Sequence, residues 1–178
     1  MRGSELPGSV GVEHTRVMEL VKAELHELSA HRPSGAHWSH DAPWAWFGSI
    51  VLLMHGIEIG REPSDLDVFV DPWVWRMLVN AHGWEVSLPD PADPPFARRS
   101  VWGVDVSAFY RWTMQDPEVN ADHCRITAER LYGHYVTPLE VVRTHKLMSG
   151  KHEGARWEKH RTDVAAIDAH LAQRALLP

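Results

Sequence analysis

Ser64-Asp65-Leu66-Asp67-Val68-Phe69-Val70 places two aspartates one residue apart in an apolar run, and Phe47-Gly48-Ser49 lies upstream of it. The β-branched and aromatic residues read as a strand, in which alternate side chains share a face, so both carboxylates point the same way with Cα atoms about 7 Å apart. Two charges on an apolar strand carry a large desolvation cost unless a cation or hydrogen-bond donors offset it. A pair of hard carboxylate oxygens in this arrangement suits Mg²⁺.

The segments around this strand alternate in type. Trp44 to Phe47 reads as a short strand ending at Gly48-Ser49, and Ile50 to His55 as a short apolar helix followed by Gly56 and Gly60. Asp71-Pro72 opens a helix through about Asn80, with Asp at the cap and Pro in the first turn. Trp84 to Leu88 reads as a strand, and Pro89 to Pro95 as a proline-rich surface loop. Ser100 to Phe109 holds a further strand or hairpin with Asp105 between Val104 and Val106, a third carboxylate in an apolar run. Asp105 fits either a member of the aspartate group or a satisfied strand or turn residue after Gly103.

Helices are predicted at both ends. Val17, Leu20, Val21, Leu25 and Leu28 recur at helical spacing between about Glu13 and His31, a core-facing stripe. Arg32 to Pro43 is a loop. Thr137-Pro138-Leu139-Glu140 has the form of a capping box opening a helix to about Met148, and a last helix near Ala155 to Ala175 carries Trp157, Val164, Ile167 and Leu171 on one side. Lys146 interrupts the apolar stripe of Leu139 and Val142, so its ammonium either snorkels to the surface or meets an anion. Asp163 reads as a structural residue hydrogen-bonded to the neighbouring helix. The fold class is α+β, a small mixed sheet flanked by helices, with residues 1–135 as the core and 136–178 as a helical segment packed on it.

Composition narrows the partners. The chain has 178 residues, a net charge of −6 and a pI near 6.1. No Lys/Arg strip favours a long nucleic acid, although an RNA end remains open. Cys124 is the only cysteine, which excludes an internal disulfide and a cysteine-rich zinc site. Thirteen histidines are scattered; His37 and His40 stand three apart, without a metal-binding helix motif. Nine tryptophans suit core and rim positions, and Trp44 and Trp46 have a nucleobase as the alternative neighbour. The opening lacks an apolar leader and no run approaches the ~20 apolar residues of a membrane span, so a cytoplasmic chain without membrane attachment is expected.

Gly48-Ser49, the spacer through Arg61, Asp65-Leu66-Asp67 and Asp105 together resemble the nucleotidyltransferase superfamily that includes DNA polymerase beta. The downstream stretch with Lys146 and residues 159–167 is similar to the helical tail of its minimal, lincosamide-type and abortive-infection or toxin-type bacterial members. Thr162-Asp163 stands where those tails often have Lys-Asp, and Pro63 where a Thr is frequent. The resemblance implies transfer of a nucleoside monophosphate from an NTP to a hydroxyl of a small molecule, protein or RNA end. It implies two Mg²⁺ ions about 4 Å apart on Asp65, Asp67 and Asp105, one activating the acceptor and one steadying pyrophosphate, with Asp105 taking the acceptor proton. Gly48 and Ser49 would cradle the β and γ phosphates, and Lys146 and Arg61 would contact them, with Arg143 and Lys159 as weaker candidates.

Two other functions fit parts of the pattern: a metal-dependent glycosyltransferase, which leaves Gly48-Ser49 unexplained, and a non-catalytic binding or scaffold module on the same fold. The proline-rich loop from Pro89 to Arg99 and the region from Tyr110 to Arg130 are the expected places for acceptor recognition, and a homodimer is one way to complete the acceptor pocket.

Overall fold

The computed structural model describes residues 6–31, 42–81, 83–87, 95–110, 121–149 and 154–176. The chain runs α1 (Val12–Ala30), β1 (Trp44–Phe47), α2 (Ser49–Met54), β2 (Asp65–Val70), α3 (Pro72–Ala81), β3 (Glu85–Ser87), β4 (Phe96–Val101) and β5 (Val104–Phe109). It continues through α4 (Ala121–Ile126), β6 (Glu129–Leu131), β7 (His134–Val136), α5 (Leu139–Ser149) and α6 (Ala155–Ala175). The strands form one mixed sheet in the order β3-β4-β5-β2-β1-β7-β6. The α+β class expected from the sequence is therefore what the chain adopts.

Alternation along the strands gives the sheet two unlike faces. Trp44, Trp46, Leu66, Val68, Val106 and Ala108 share one face by register, and all are buried. Helix α1 lies on this side through Val17, Val21, Leu25 and Leu28. Leu20, expected in that stripe, is 37 % exposed and falls outside it. Both tryptophans are core residues on the face opposite the aspartates, which removes them as nucleobase neighbours.

Polar contacts fix α1 against the sheet. Glu24 accepts hydrogen bonds from Arg99 and from the Trp84 indole. Trp46 donates to His134 Nδ1 at 3.1 Å, so His134 keeps its proton on Nε2 and donates to Glu19 at 2.9 Å. Burial holds His134 below its usual pKa, which agrees with a neutral ring.

Local signals decide most element ends. Asp71 Oδ1 accepts the Val74 N–H at 2.8 Å, a side-chain cap on α3 with Pro72 as its first residue. The β4–β5 turn holds Trp102 and Gly103 at φ 50° and 82°, the left-handed pair of a two-residue type I′ hairpin closed by Val101 and Val104. The capping box at Thr137 does not form. Thr137 N–H bonds to the Trp46 carbonyl, extending the β1–β7 pairing by one residue, and its buried hydroxyl makes no hydrogen bond to the helix end. The loop residues 32–41 and 88–94 lie outside the described residues, as do His37 and His40.

Among the described residues, no helix is long and apolar enough to cross a membrane. Asp71→Ala should lower stability by about 1 kcal/mol through loss of the cap, a fall of about 2–4 °C in Tm for a chain of this size. Asp71→Asn should recover most of that loss in the same melting experiment.

Candidate functional site

Register brings the sequence-predicted carboxylates onto the second face of the sheet. β2 pairs with β5 in parallel, Asp65 opposite Asp105 and Asp67 opposite Ser107. β1 pairs with the other edge of β2 in antiparallel fashion, Phe47 opposite Asp67. Neighbouring strands are about 4.8 Å apart, so the end of β1 that leads into the Gly48-Ser49 turn, the aspartate pair on β2 and Asp105 on β5 lie on three adjacent strands.

Gly48 is required at its position for two reasons. Its backbone has φ 79° and ψ −149°, a region that side chains other than hydrogen strongly disfavour. A Cβ built there would also stand 3.1 Å from Asp67 Oδ2. The glycine lets the turn close down on the aspartate.

Ser49 is the meeting point of two cations. Its Oγ accepts from Lys146 Nζ at 3.2 Å and from Arg61 Nη2 at 3.3 Å. Asp163 holds both cations: Arg61 grips its two oxygens at 2.7 and 2.8 Å, and Lys146 Nζ lies 2.7 Å from Oδ2. Lys146 and Asp163 are both buried. Lys146 thus does not snorkel, and the anion it meets is Asp163.

The electrostatics follow from burial and these pairs. Desolvation raises the Asp163 carboxyl, but hydrogen bonds from Arg61 and the charge of Lys146 outweigh it and leave the group below its usual range. Burial pulls the Lys146 ammonium down, and Asp163 opposes the pull. Asp67 is pushed up to about 7 by burial and by the charge of Asp65, against weaker opposition from Lys146 and Lys159. His145 and His160, near the cluster on α5 and α6, are pushed down to about 3 and about 4 by burial and by Lys146. Both rings are neutral near pH 7.

The fit to a divalent cation is partial. Asp65, which accepts from Ser64 Oγ at 2.9 Å, and Asp67 offer hard oxygens, and the raised Asp67 pKa marks a carboxylate whose charge is incompletely offset. Asp105 instead forms an ion pair with Arg98. Among the described residues no group of three His, Cys, Asp or Glu is gathered to hold a metal. Two ligands stand ready, and the third is tied to an arginine.

Other candidates lie elsewhere. Arg143 is paired with Asp168 between α5 and α6, so it is committed away from the site. Lys159 is exposed and acts on Asp67 through its charge alone. Two residues that sequence reasoning undervalued are central: Asp163, whose signal was an acid four residues before Ile167 on the apolar stripe of α6, and Arg98. Of the expected acceptor regions, Pro89 to Arg99 and Tyr110 to Arg130, residues 89–94 and 111–120 lie outside the described residues, while 96–99 belong to β4 rather than to a loop and 121–126 form α4.

Comparison of the chain with protein-family models, with curated proteins and with solved structures gives no match.

Two outcomes are expected. Asp163→Ala leaves two cations facing each other without their anion and should cost about 3–5 kcal/mol in denaturant unfolding. Asp67 behaves differently. Its folded-state pKa of about 7 lies above the usual 3.8, so the folded chain retains a proton that the unfolded chain loses, and stability falls as pH rises through that window. Asp67→Asn should match the native protein at about pH 4 and exceed it at about pH 8. His145 and His160, both partly buried, act in the opposite sense, losing stability as pH falls, but they are common to both proteins and cancel in the difference of melting temperatures.

Proposed function

We propose that the chain is a Mg²⁺-dependent nucleotidyltransferase that moves a nucleoside monophosphate from an NTP onto a hydroxyl, on a nucleotidyltransferase-type sheet. The observation that carries this reading is the register that sets the end of β1 before the Gly48-Ser49 turn, Asp65 and Asp67 on β2, and Asp105 on β5 side by side, with Lys146 and Arg61 converging on Ser49. Phosphoryl transfer asks a protein chiefly for positioning and charge neutralisation, and these residues supply both.

Each has a definite task. Gly48 lets the main chain approach the triphosphate closely. Ser49 Oγ takes hydrogen bonds from two cations and keeps its own hydrogen for a phosphate oxygen. Two cations against one carboxylate leave the Arg61, Lys146 and Asp163 cluster with one positive charge beside the turn, where a triphosphate would lie. Asp65 and Asp67 would hold Mg²⁺, joined by Asp105 once Arg98 releases it. Bound there, the ion would neutralise triphosphate charge and acidify the acceptor hydroxyl. A carboxylate oxygen of Asp105 receives the hydroxyl proton.

A second reading is a non-catalytic binding or scaffold module. It is favoured by the pairing of Asp105 with Arg98 and of Lys146 with Asp163, which balances these charges within the chain.

Thermal melting with Mg²⁺ and each of the four NTPs separates the two. A donor present at about a hundred times its Kd should stabilise the protein by about 2.7 kcal/mol. The shift should require metal and vanish in the Asp65→Asn, Asp67→Asn double variant. No shift with any NTP would favour the scaffold, and a shift with a nucleotide sugar alone would favour glycosyl transfer.

A further inference from the structure

A cleft of about 340 Å³ opens beside the carboxylates, lined by Gly83, Glu85, Arg98, Arg99, Ser100 and Asp105. It shares Asp105 with the site and lies on the β4 side of it, whereas Gly48-Ser49 lies on the β1 side. The aspartates therefore stand between the cationic cluster at Ser49 and this cleft.

We propose that the cleft is the acceptor subsite and that it takes a small hydroxyl compound bearing an anionic group, carboxylate or phosphate, which Arg98 receives. The proposal rests on the nucleotidyltransferase reading of the neighbouring aspartates. Its chemistry comes from the lining. Arg99 is committed to Glu24 on the other face of the sheet, which leaves Arg98 as the cation the cleft can offer. Arg98 is half-exposed and paired with Asp105, itself 35 % exposed. An ion pair so open to water contributes little and is readily exchanged. Once Asp105 turns to a metal, the planar guanidinium fork is left facing the cleft, matched to the oxygens of a carboxylate or phosphate.

The rest of the lining orders the ligand. Ser100 lies opposite Asp105 across the β4–β5 pair, and Glu85 lies opposite Arg98 across the β3–β4 pair. Glu85 and Asp105 are both carboxylates of the lining, so the anionic group of the ligand is held by Arg98 between them. The acceptor hydroxyl is then placed beside the carboxylate that takes its proton, with the cationic cluster at Ser49 on the far side.

The test is an NMR titration of the Ser100 and Asp105 amides with sulfate as the tetrahedral probe and acetate as the carboxylate probe, first without metal. The native protein should bind one or both. Asp105→Asn, which frees Arg98, should tighten binding about two- to fivefold, the size set by an exposed ion pair. Arg98→Gln should abolish it. Binding that survives in Arg98→Gln, or no tightening in Asp105→Asn, would overturn the proposal, as would spermidine shifting these amides where sulfate does not.

Two further arms separate this inference from the reading beneath it. Sulfate should still bind when Mg²⁺ and a non-hydrolysable α,β-methylene NTP are present; displacement would make Arg98 a triphosphate ligand and sink the acceptor assignment. Mg²⁺ should tighten sulfate binding in the native protein and not in the Asp65→Asn, Asp67→Asn variant. If metal-free anion binding behaves as expected while Mg²⁺ has no effect, the receptor stands and the nucleotidyltransferase reading falls, taking the acceptor role with it.

Discussion

A buried carboxylate on α6, Asp163, draws together Arg61 from the loop before β2 and Lys146 from α5, and both cations end on Ser49. Neither Lys146 nor Asp163 could be buried alone, because a desolvated charge without a partner is more costly than most contacts a side chain makes. Their pairing therefore fixes the relative positions of α5, α6 and the turn at Gly48. That turn in turn sits against Asp67, where a Cβ would stand 3.1 Å from Oδ2 and the positive φ of Gly48 would strain any other residue. Packing of the helical segment and placement of the aspartates are thus one constraint.

The two flanks of the site differ in kind. On the β1 side Lys146 and Asp163 are buried and Arg61 is 30 % exposed, all three are mutually bonded, and His145 and His160 beside them are held neutral by burial and by the charge of Lys146. On the β4 side Arg98 and Asp105 form an ion pair open to water. Low dielectric makes the first arrangement strong and hard to exchange, and high dielectric makes the second weak and easy to exchange. A rigid cationic wall for a triphosphate and an exchangeable one for an acceptor suit the tasks that the proposed reaction sets.

Much of the fold was legible along the chain. β1, β2 and α6 fall where alternation and helical periodicity place them, and α3 begins at the Asp71-Pro72 cap. The misses have local causes. Thr137 carries the letters of a capping box, yet its N–H bonds to the Trp46 carbonyl on β1 and its hydroxyl caps no helix N–H. Leu20 matches the period of α1 but lies at the edge of the face that α1 buries. Trp44 and Trp46 sit near Gly48 in sequence, and the alternation of β1 places them on the opposite face from the aspartates.

By itself the sequence determined that Asp65 and Asp67 share a face, that a glycine turn precedes them, and that Lys146 breaks an apolar helical stripe, because these follow from the fixed periods of strand and helix. Only the tertiary structure decided that Asp105 lies in register with Asp65, that Lys146 is paired with Asp163, and that Asp105 is engaged by Arg98. Periodicity orients a side chain relative to its own element. Which charge it finally meets depends on strand order and helix packing, and these join residues as far apart as Arg61 and Asp163, 102 positions away.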